Sequence, residues 1–211
     1  MKKILPLLIP ISFIFVLFLH GKTQGDLPGS NAHYQEGDLK PTETQKKVER
    51  LVFGILSNYH YRKIAVNDSL SSKIYDAYIK ELDPNKVFFI ASDIEDLEKF
   101  RFTIDEQLSA GDLTSAFQIY NLYQTRYKER YAFIHAVLNK PFDFNADETY
   151  QPNRDKAVWA KTAEELNDFW RKDIKRQFLD WKIGGKADTT AVREMKERYA
   201  RSEKYMARTK S

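Results

Sequence analysis

Apolar residues recur every three or four positions along most of the chain after residue 42, which is the spacing of one face of an α-helix. The first pattern opens with a capping box formed by Thr42 and Gln45. Its apolar stripe comprises Val48, Leu51, Val52, Ile55, Leu56 and Tyr59. A second pattern starts at Asn67 or Asp68 as N-cap and stops before Pro84, and its stripe comprises Leu70, Ile74, Ala77, Tyr78 and Leu82. These patterns predict two amphipathic helices.

Two more helices are predicted in the middle of the chain. Ser92 and Glu95 form a second capping box, and the helix they open ends near Gly111 with a stripe of Ile94, Leu97, Ile104 and Leu108. The longest pattern covers about 113–139, and Pro141 lies beyond its end. Its stripe is dominated by tyrosine and comprises Phe117, Tyr120, Gln124, Tyr127, Tyr131, Ile134 and Leu138.

The last third of the chain predicts a long connection followed by two helices. Residues 141–161 lack periodicity and carry the aromatic anchors Phe142, Phe144, Tyr150 and Trp159. Thr162 and Glu165 open a fifth helix, ended by Gly184 and Gly185, with a stripe of Leu166, Phe169, Trp170, Ile174, Phe178 and Trp181. Thr189 or Thr190 begins a sixth, which carries Val192, Met195, Tyr199 and Met206. The only short run with a β-like pattern is 86–90. We therefore predict an all-α bundle of about six amphipathic helices with one long, aromatic-anchored loop.

The start of the chain has the layout of a secretory signal peptide. Lys2 and Lys3 precede an uncharged, mainly apolar run at 4–19, which is shorter than the ~20 residues of a membrane-spanning helix. We therefore predict a signal peptide at 1–21, a flexible leader at 22–41 and a helical domain at 42–211. We expect the chain to be exported, and an uncleaved membrane anchor is the alternative.

Composition and charge exclude several classes of function. The chain has 211 residues, 42% of them hydrophobic, and no cysteine, which excludes disulfides, thiolate zinc sites and cysteine nucleophiles. The formal net charge is +4 and falls to +2 when the signal peptide with its two lysines is removed. Because acids alternate with the basic residues, we expect no nucleic-acid binding.

The sequence offers no group of residues typical of catalysis or metal binding. The four histidines, His20, His33, His60 and His135, are isolated from one another, and no His-x-x-x-His or calcium-loop spacing occurs. There is no Gly-x-Ser-x-Gly motif, no glycine-rich stretch follows any serine after Ser30, and Ser92 is interpreted as a helix cap. We therefore predict no catalytic, cofactor-binding or metal-binding residue, and no residue is assigned to partner binding.

Two further patterns have both a structural and a functional interpretation. The tyrosine stripe of the fourth helix is interpreted as part of the protein core. The alternative is a platform of rings on which nucleic-acid bases stack. The basic residues between Arg193 and Lys210 alternate with glutamates, so a solvated helix face is favoured over a phosphate- or lipid-binding patch.

Three segments, 82–100, 120–150 and 156–175, resemble in order and register the N-terminal domain of bacterial tail-specific proteases, the long C-terminal-processing peptidases. The first reads LDPNKVFFIASDIEDLEKF, and the likeness extends over about 42–211. The resemblance implies an exported serine protease that trims or degrades periplasmic proteins from their C-terminal ends. In that family, a PDZ module and a protease core with a Ser/Lys dyad follow the helical region.

The sequence given ends at Ser211, before any segment that resembles the PDZ module or the protease core. We therefore expect this chain to be a non-catalytic helical scaffold, with no cofactor. Its expected partners are the PDZ and protease regions, a protein adaptor and protein substrates, with the membrane contacted only through an uncleaved signal peptide. The alternative is a free-standing exported helical adaptor or inhibitor.

Overall fold

The computed structural model describes residues 37–60, 65–154 and 156–208. Within these ranges the chain forms seven α-helices and no strand, which confirms the predicted all-α fold class. In chain order they are α1 (Glu43–Tyr59), α2 (Asp68–Leu82), α3 (Ala91–Leu97), α4 (Ile104–Ala110), α5 (Thr114–Leu138), α6 (Ala163–Ile183) and α7 (Asp188–Arg208).

The predicted signal peptide (1–21) lies outside the described residues, as do residues 22–36 of the predicted leader. Residues 37–41, at the end of that leader, contain no helix. Among the helices that are described, none combines the length and the apolar character needed to cross a bilayer.

Most of the predicted helix ends are confirmed by their hydrogen bonds. Thr42 Oγ1 accepts from the Gln45 amide at 3.2 Å, and Gln45 Oε1 accepts from the Thr42 amide at 2.8 Å, which completes the capping box of α1. Asn67 caps α2 by accepting from the Leu70 amide. Gly111 ends α4 with a φ of 69°, in the left-handed region that favours glycine.

The predicted third helix is two helices. A 3₁₀ turn, Glu98–Phe100, follows α3, and α4 starts at Ile104. The buried hydroxyl of Ser71 donates to the carbonyl of Arg101 and accepts from the amide of Ile104 at 2.9 Å, so it takes up backbone groups in the break. The predicted cap is also wrong: Asp93, rather than Ser92 with Glu95, accepts a hydrogen bond from the Ile90 amide that precedes α3.

Three smaller predictions also need correction. Helix α7 begins at Asp188, before either predicted threonine, because the Ala191 amide already donates to the carbonyl of Ala187. At α6, Thr162 accepts from the Glu165 amide as predicted, but the Glu165 carboxylate accepts from Lys161, one residue before the cap. The buried face of α2 comprises Ser71, Tyr75, Tyr78 and Ile79, and it is rotated by about one residue relative to the predicted stripe.

The chain divides into two compact units. Within the described ranges, unit 1 comprises 37–60, 65–82 and 99–118, and unit 2 comprises 83–98, 119–154 and 156–208. In unit 1, α4 contacts both α1 and α2. The Tyr75 ring is buried under the guanidinium of Arg101, and the Tyr78 hydroxyl donates to the carbonyl of Ala116 at 3.1 Å. These contacts hold the chain segments of unit 1 together.

The core of unit 2 is lined by the predicted tyrosine stripe of α5. Tyr127 stacks on Tyr131 with ring centroids 4.2 Å apart, and Tyr131 meets Tyr199 of α7 edge to face. Within unit 2 the stripe is buried from Tyr120 to Leu138, the core position that the sequence predicts. Helices α6 and α7 contact each other, and α6 buries Leu166, Ile174 and Phe178.

The described residues between α5 and α6 contain no helix, as predicted for the long connection. Its aromatic anchors attach to unit 2: Phe142 packs on Phe178 at 4.9 Å between ring centroids, and the Tyr150 hydroxyl donates to Asp173. The β-like run at 86–90 forms no strand; Ile90 pairs with Ala160 in one isolated parallel bridge.

Replacing Leu166 by alanine should lower the free energy of unfolding by about 2 to 5 kcal/mol, because its fully buried side chain leaves a cavity. Leu179→Ala on the same helix is the matched control, since Leu179 is exposed and should change stability by less than about 0.5 kcal/mol. Denaturant unfolding of both variants measures the difference. Equal losses in the two variants would show that the face of α6 containing Leu166 is not the buried one.

Candidate functional site

Helix α1 of unit 1 exposes much of its predicted apolar stripe. Tyr59 is 83% exposed, Leu51 64% and Ile55 50%, and these three residues are spaced four apart, so they form a continuous row on one side of the helix. We call them the α1 outer face. Sequence periodicity predicts the helix and its stripe, and the structure leaves this row of the stripe exposed.

Val48, toward the N-terminal end of the same stripe, and Arg50, on the opposite side of the helix, contact the rest of unit 1. Val48 packs with Leu39 against the buried pair Leu113 and Phe117. Gly111 lies directly beneath Arg50 on α1: a Cβ atom added at Gly111 would stand 2.5 Å from the Arg50 Cγ. Only glycine therefore allows this close approach while also meeting its positive φ.

The buried side of α1 also contains a carboxylate. Glu49 is only 3% exposed, and neither of its carboxyl oxygens has a hydrogen-bond partner. Burial raises the pKa of Glu49 to about 7, with a smaller lowering by Arg50 and a smaller increase from Asp112. The helix thus buries an acid on one side and exposes a row of large apolar side chains on another.

In unit 2, the loop that follows α2 is organised around Asp83. Its buried carboxylate accepts from the amides of Val87, Phe88 and Phe89 at 2.8, 2.8 and 3.0 Å. Burial raises the pKa of the Asp83 carboxyl, and the three amide hydrogen bonds oppose that rise. Lys86 has a φ of 54°, which turns the chain so that the three amides converge.

The Asp83 loop carries an aromatic side chain into the core. Phe88 stacks on Tyr127 at 5.5 Å and contacts the rings of Tyr123 and Trp170. Trp170 is half-buried, and its indole Nε1–H donates to the carbonyl of Val87 at 2.8 Å. The loop is therefore fixed on both its polar and its apolar side.

The other residues weighed in the sequence analysis remain dispersed. His20 and His33 lie outside the described residues, and His60 follows the end of α1. His135 Nε2 lies 2.7 Å from a carboxylate oxygen of Glu203. In the described ranges, no three histidine or acidic side chains come together as a metal site would require.

Some of the basic residues around α7 pair with acids: Arg193 pairs with Glu197 at 2.8 Å, and Lys186, just before the helix, pairs with Glu194. Lys196 and Arg198 donate instead to the side-chain oxygens of Asn139 and Gln177. The tyrosine stripe of α5 is buried, which removes the base-stacking interpretation.

The sequence contains one signal of the α1 outer face: the six apolar positions of its stripe span a wide arc of the helix. In the structure the buried residue of α1 is Glu49, which is not a member of that stripe. Periodicity shows that a stripe exists, but not how much of it the rest of the chain covers.

Residues 52–211 match the family described as the tail specific protease N-terminal domain. The chain belongs to this family. It is also 35% identical over 157 residues to the tail-specific protease of Haemophilus influenzae, an alignment that covers 74% of this chain. The chain spans 23% of the length of that relative. The helical domain is therefore a region of a protease family, and the family match begins within α1.

Replacing Glu49 by glutamine should remove a pH dependence of stability. Because the folded-state pKa of about 7 lies above the unfolded value near 4.3, stability from this group is complete below about pH 4 and is lost as the pH rises to about 7. We expect the wild type to lose roughly 2 to 3 kcal/mol between about pH 5 and pH 8 through Glu49. The Glu49→Gln variant should lose none of this stability over the same pH range. Glu106→Gln, at an exposed position, should lose as much stability as the wild type. Identical pH profiles for all three proteins would contradict the assignment.

Replacing Asp83 by alanine should destabilise unit 2 by about 3 kcal/mol or more, since three amides lose their acceptor. Asp83→Asn should lose less, because its amide oxygen still accepts. Asp96→Ala, at an exposed position, is the control. If thermal unfolding gives the same stability for Asp83→Ala and Asp96→Ala, the loop does not depend on the Asp83 carboxylate.

Proposed function

We propose that this chain is the non-catalytic helical scaffold region of an exported tail-specific serine protease, which processes or degrades periplasmic proteins at their C-terminal ends. The family membership and the similarity to the Haemophilus influenzae protease support this proposal. Since the chain spans 23% of that protease, we place peptide-bond hydrolysis in the remainder of such an enzyme. The proposed partners are the PDZ and protease regions, a protein adaptor and the protein substrates.

One structural observation carries the scaffold role: the α1 outer face. A continuous row of large apolar side chains on a stable helix is unfavourable in water, and such rows mark surfaces that another part of a protein covers. We propose that the rest of the protease packs on Leu51, Ile55 and Tyr59. Support comes from the other side of α1, which is already packed in unit 1, where Glu49 is buried and Arg50 lies against Gly111. The helix therefore has two faces available for two contacts.

The proposed periplasmic location rests on the sequence pattern at 1–21, which lies outside the described residues. Two lysines followed by an uncharged, mainly apolar run too short to span a bilayer favour export through a signal peptide. An inner-membrane anchor through the same run is the alternative for this segment.

A chimeric protease tests the scaffold role. The matching region of the Haemophilus influenzae enzyme is replaced by this chain's helical domain, and hydrolysis of an unstructured protein with a nonpolar C-terminus is measured. We expect the chimera to hydrolyse the substrate and this chain alone to be inactive. Leu51→Glu with Ile55→Glu should lower the rate by about tenfold or more, because charge cannot be buried at an apolar interface without a partner.

Ser57→Glu with Ser69→Glu is the matched control, since it adds two glutamates at exposed polar positions of unit 1 away from the α1 outer face. Circular dichroism should show the same helix content and melting temperature for both double variants. Hydrolysis by this chain alone would overturn the non-catalytic assignment. Equal activity of the two chimeras would overturn the role of the α1 outer face. An inactive chimera together with inhibition of the intact Haemophilus influenzae enzyme by the added chain would support the adaptor or inhibitor instead.

A further inference from the structure

Gln124 is the one amide in the otherwise aromatic and aliphatic stripe of α5, and it is only 4% exposed. Its Nε2–H donates to the thioether sulfur of Met206 on α7 at 3.1 Å. The buried hydroxyl of Tyr120, about one turn earlier on α5, donates to the same sulfur at 3.7 Å. All three residues belong to unit 2, so two buried donors converge on one sulfur atom within that unit.

The thioether sulfur is a poor partner for these two donors. Sulfur accepts hydrogen bonds only weakly, so a buried N–H or O–H paired with it recovers little of the interaction that it loses on leaving water. The amide of Gln124 is further undersatisfied, because its Oε1 is buried and has no hydrogen-bond partner. The two donors are therefore better matched to a stronger acceptor at Met206 than to the thioether itself.

Oxidation of the sulfur supplies such an acceptor. When hydrogen peroxide is the oxidant, a sulfur lone pair forms the S–O bond and the O–O bond breaks. The leaving hydroxide takes up the proton of the transferred hydroxyl and becomes water, so sulfur is oxidised by two electrons and the peroxide is reduced by two. The sulfoxide oxygen accepts hydrogen bonds strongly. Because the Met206 side chain is unbranched and flexible, it can adjust to bring that oxygen within reach of both donors.

Exposure distinguishes Met206 from Met195 on the same helix. Met206 is partly exposed, whereas Met195 is 0% exposed. A small oxidant therefore reaches Met206 in the folded protein, and it reaches Met195 only when α7 opens locally.

We propose that Met206 is a site of reversible oxidation by peroxide, and that Gln124 and Tyr120 bind the oxygen of its sulfoxide. Oxidation of a packed methionine ordinarily disrupts its contacts, because a polar group replaces an apolar one. Here the new oxygen meets two buried donors, so the contact between α7 and α5 is kept or strengthened. A methionine sulfoxide reductase restores the thioether. The proposal does not depend on the scaffold role, because the three residues that carry it lie within unit 2.

Peptide mass spectrometry of the full chain treated with hydrogen peroxide tests the position of the site. We expect the peptide that contains Met206 to gain one oxygen atom about tenfold or more faster than the peptide that contains Met195, because local opening must expose Met195 first. Equal rates for the two peptides, or no oxygen gained at Met206, would overturn the proposal.

Thermal unfolding of the reduced and the oxidised chain tests whether the sulfoxide is bound. The wild type oxidised at Met206 should melt at the same temperature as the reduced protein or above it. Gln124→Leu removes the amide donor, so its oxidised form should melt about 2 to 4 °C or more below its reduced form. Tyr120→Phe keeps the ring and removes one hydroxyl, so it should show a smaller decrease and serves if Gln124→Leu does not fold.

Met206→Leu is the control for oxidation elsewhere, and peroxide should leave its melting temperature unchanged. A wild type that loses as much on oxidation as the Gln124 and Tyr120 variants would overturn the proposal. Equal melting temperatures of the oxidised and reduced forms in all of these proteins would also overturn it, because the two donors would then make no difference to the sulfoxide.

The stereochemistry of the sulfoxide gives a readout that is independent of stability. Donors fixed beside the sulfur favour one of the two sulfoxide epimers, and each epimer is reduced by its own class of methionine sulfoxide reductase. Digestion of the oxidised chain followed by treatment with each class of reductase therefore measures the epimer ratio at Met206. We expect one epimer to dominate in the wild type and the ratio to approach equality in Gln124→Leu. The same ratio in both proteins would contradict binding of the sulfoxide oxygen by Gln124.

Discussion

The removal of apolar side chains from water is the constraint on which this structure depends, and the two units meet it differently. In unit 2 the tyrosine row of α5 is covered within the unit, by Phe88 of the Asp83 loop and by Tyr199 of α7. In unit 1 the α1 outer face stays exposed. The other side of α1 packs in unit 1, where Glu49 is buried and Arg50 lies against Gly111, so the exposed row of side chains is available to another polypeptide.

The buried carboxylates show the same contrast between the units. Asp83 is buried with three amide donors, so its charge is compensated and the loop has one conformation. Glu49 is buried with none, and its neighbours Arg50 and Asp112 act on it in opposite directions. The Asp83 carboxylate of unit 2 is thus satisfied, whereas the attachment of α1 in unit 1 is sensitive to proton concentration near neutrality.

Local chemistry explains what could be predicted from the sequence. Thr42, Asn67, Gly111 and Thr162 act at helix ends through bonds to residues within four positions, so their roles follow from spacing alone. The division of the third predicted helix depends on Ser71, some thirty residues earlier, and no local pattern reveals it. Likewise, periodicity located the stripe of α1 but not its exposure, because exposure depends on which other surfaces are present.

The same distinction applies to the candidate sites. The α1 outer face was visible as a stripe, but no local pattern showed that the rest of the described chain leaves it exposed. Family membership could be inferred from uncommon strings such as the one at 82–100, and the match over 52–211 confirms it. What those strings do physically, in particular the convergence of three amides on Asp83, required the structure.

Hydroxyl-radical footprinting of Tyr59 tests the central claim most directly, because this ring is the most exposed member of the α1 outer face. Its oxidation rate is compared between this chain alone and the same domain placed in the protease chimera, with the exposed Tyr205 of α7 as the internal reference. We expect rapid oxidation of Tyr59 in the isolated chain and strong protection of Tyr59 in the chimera, relative to Tyr205. Equal oxidation of Tyr59 in both proteins would contradict it.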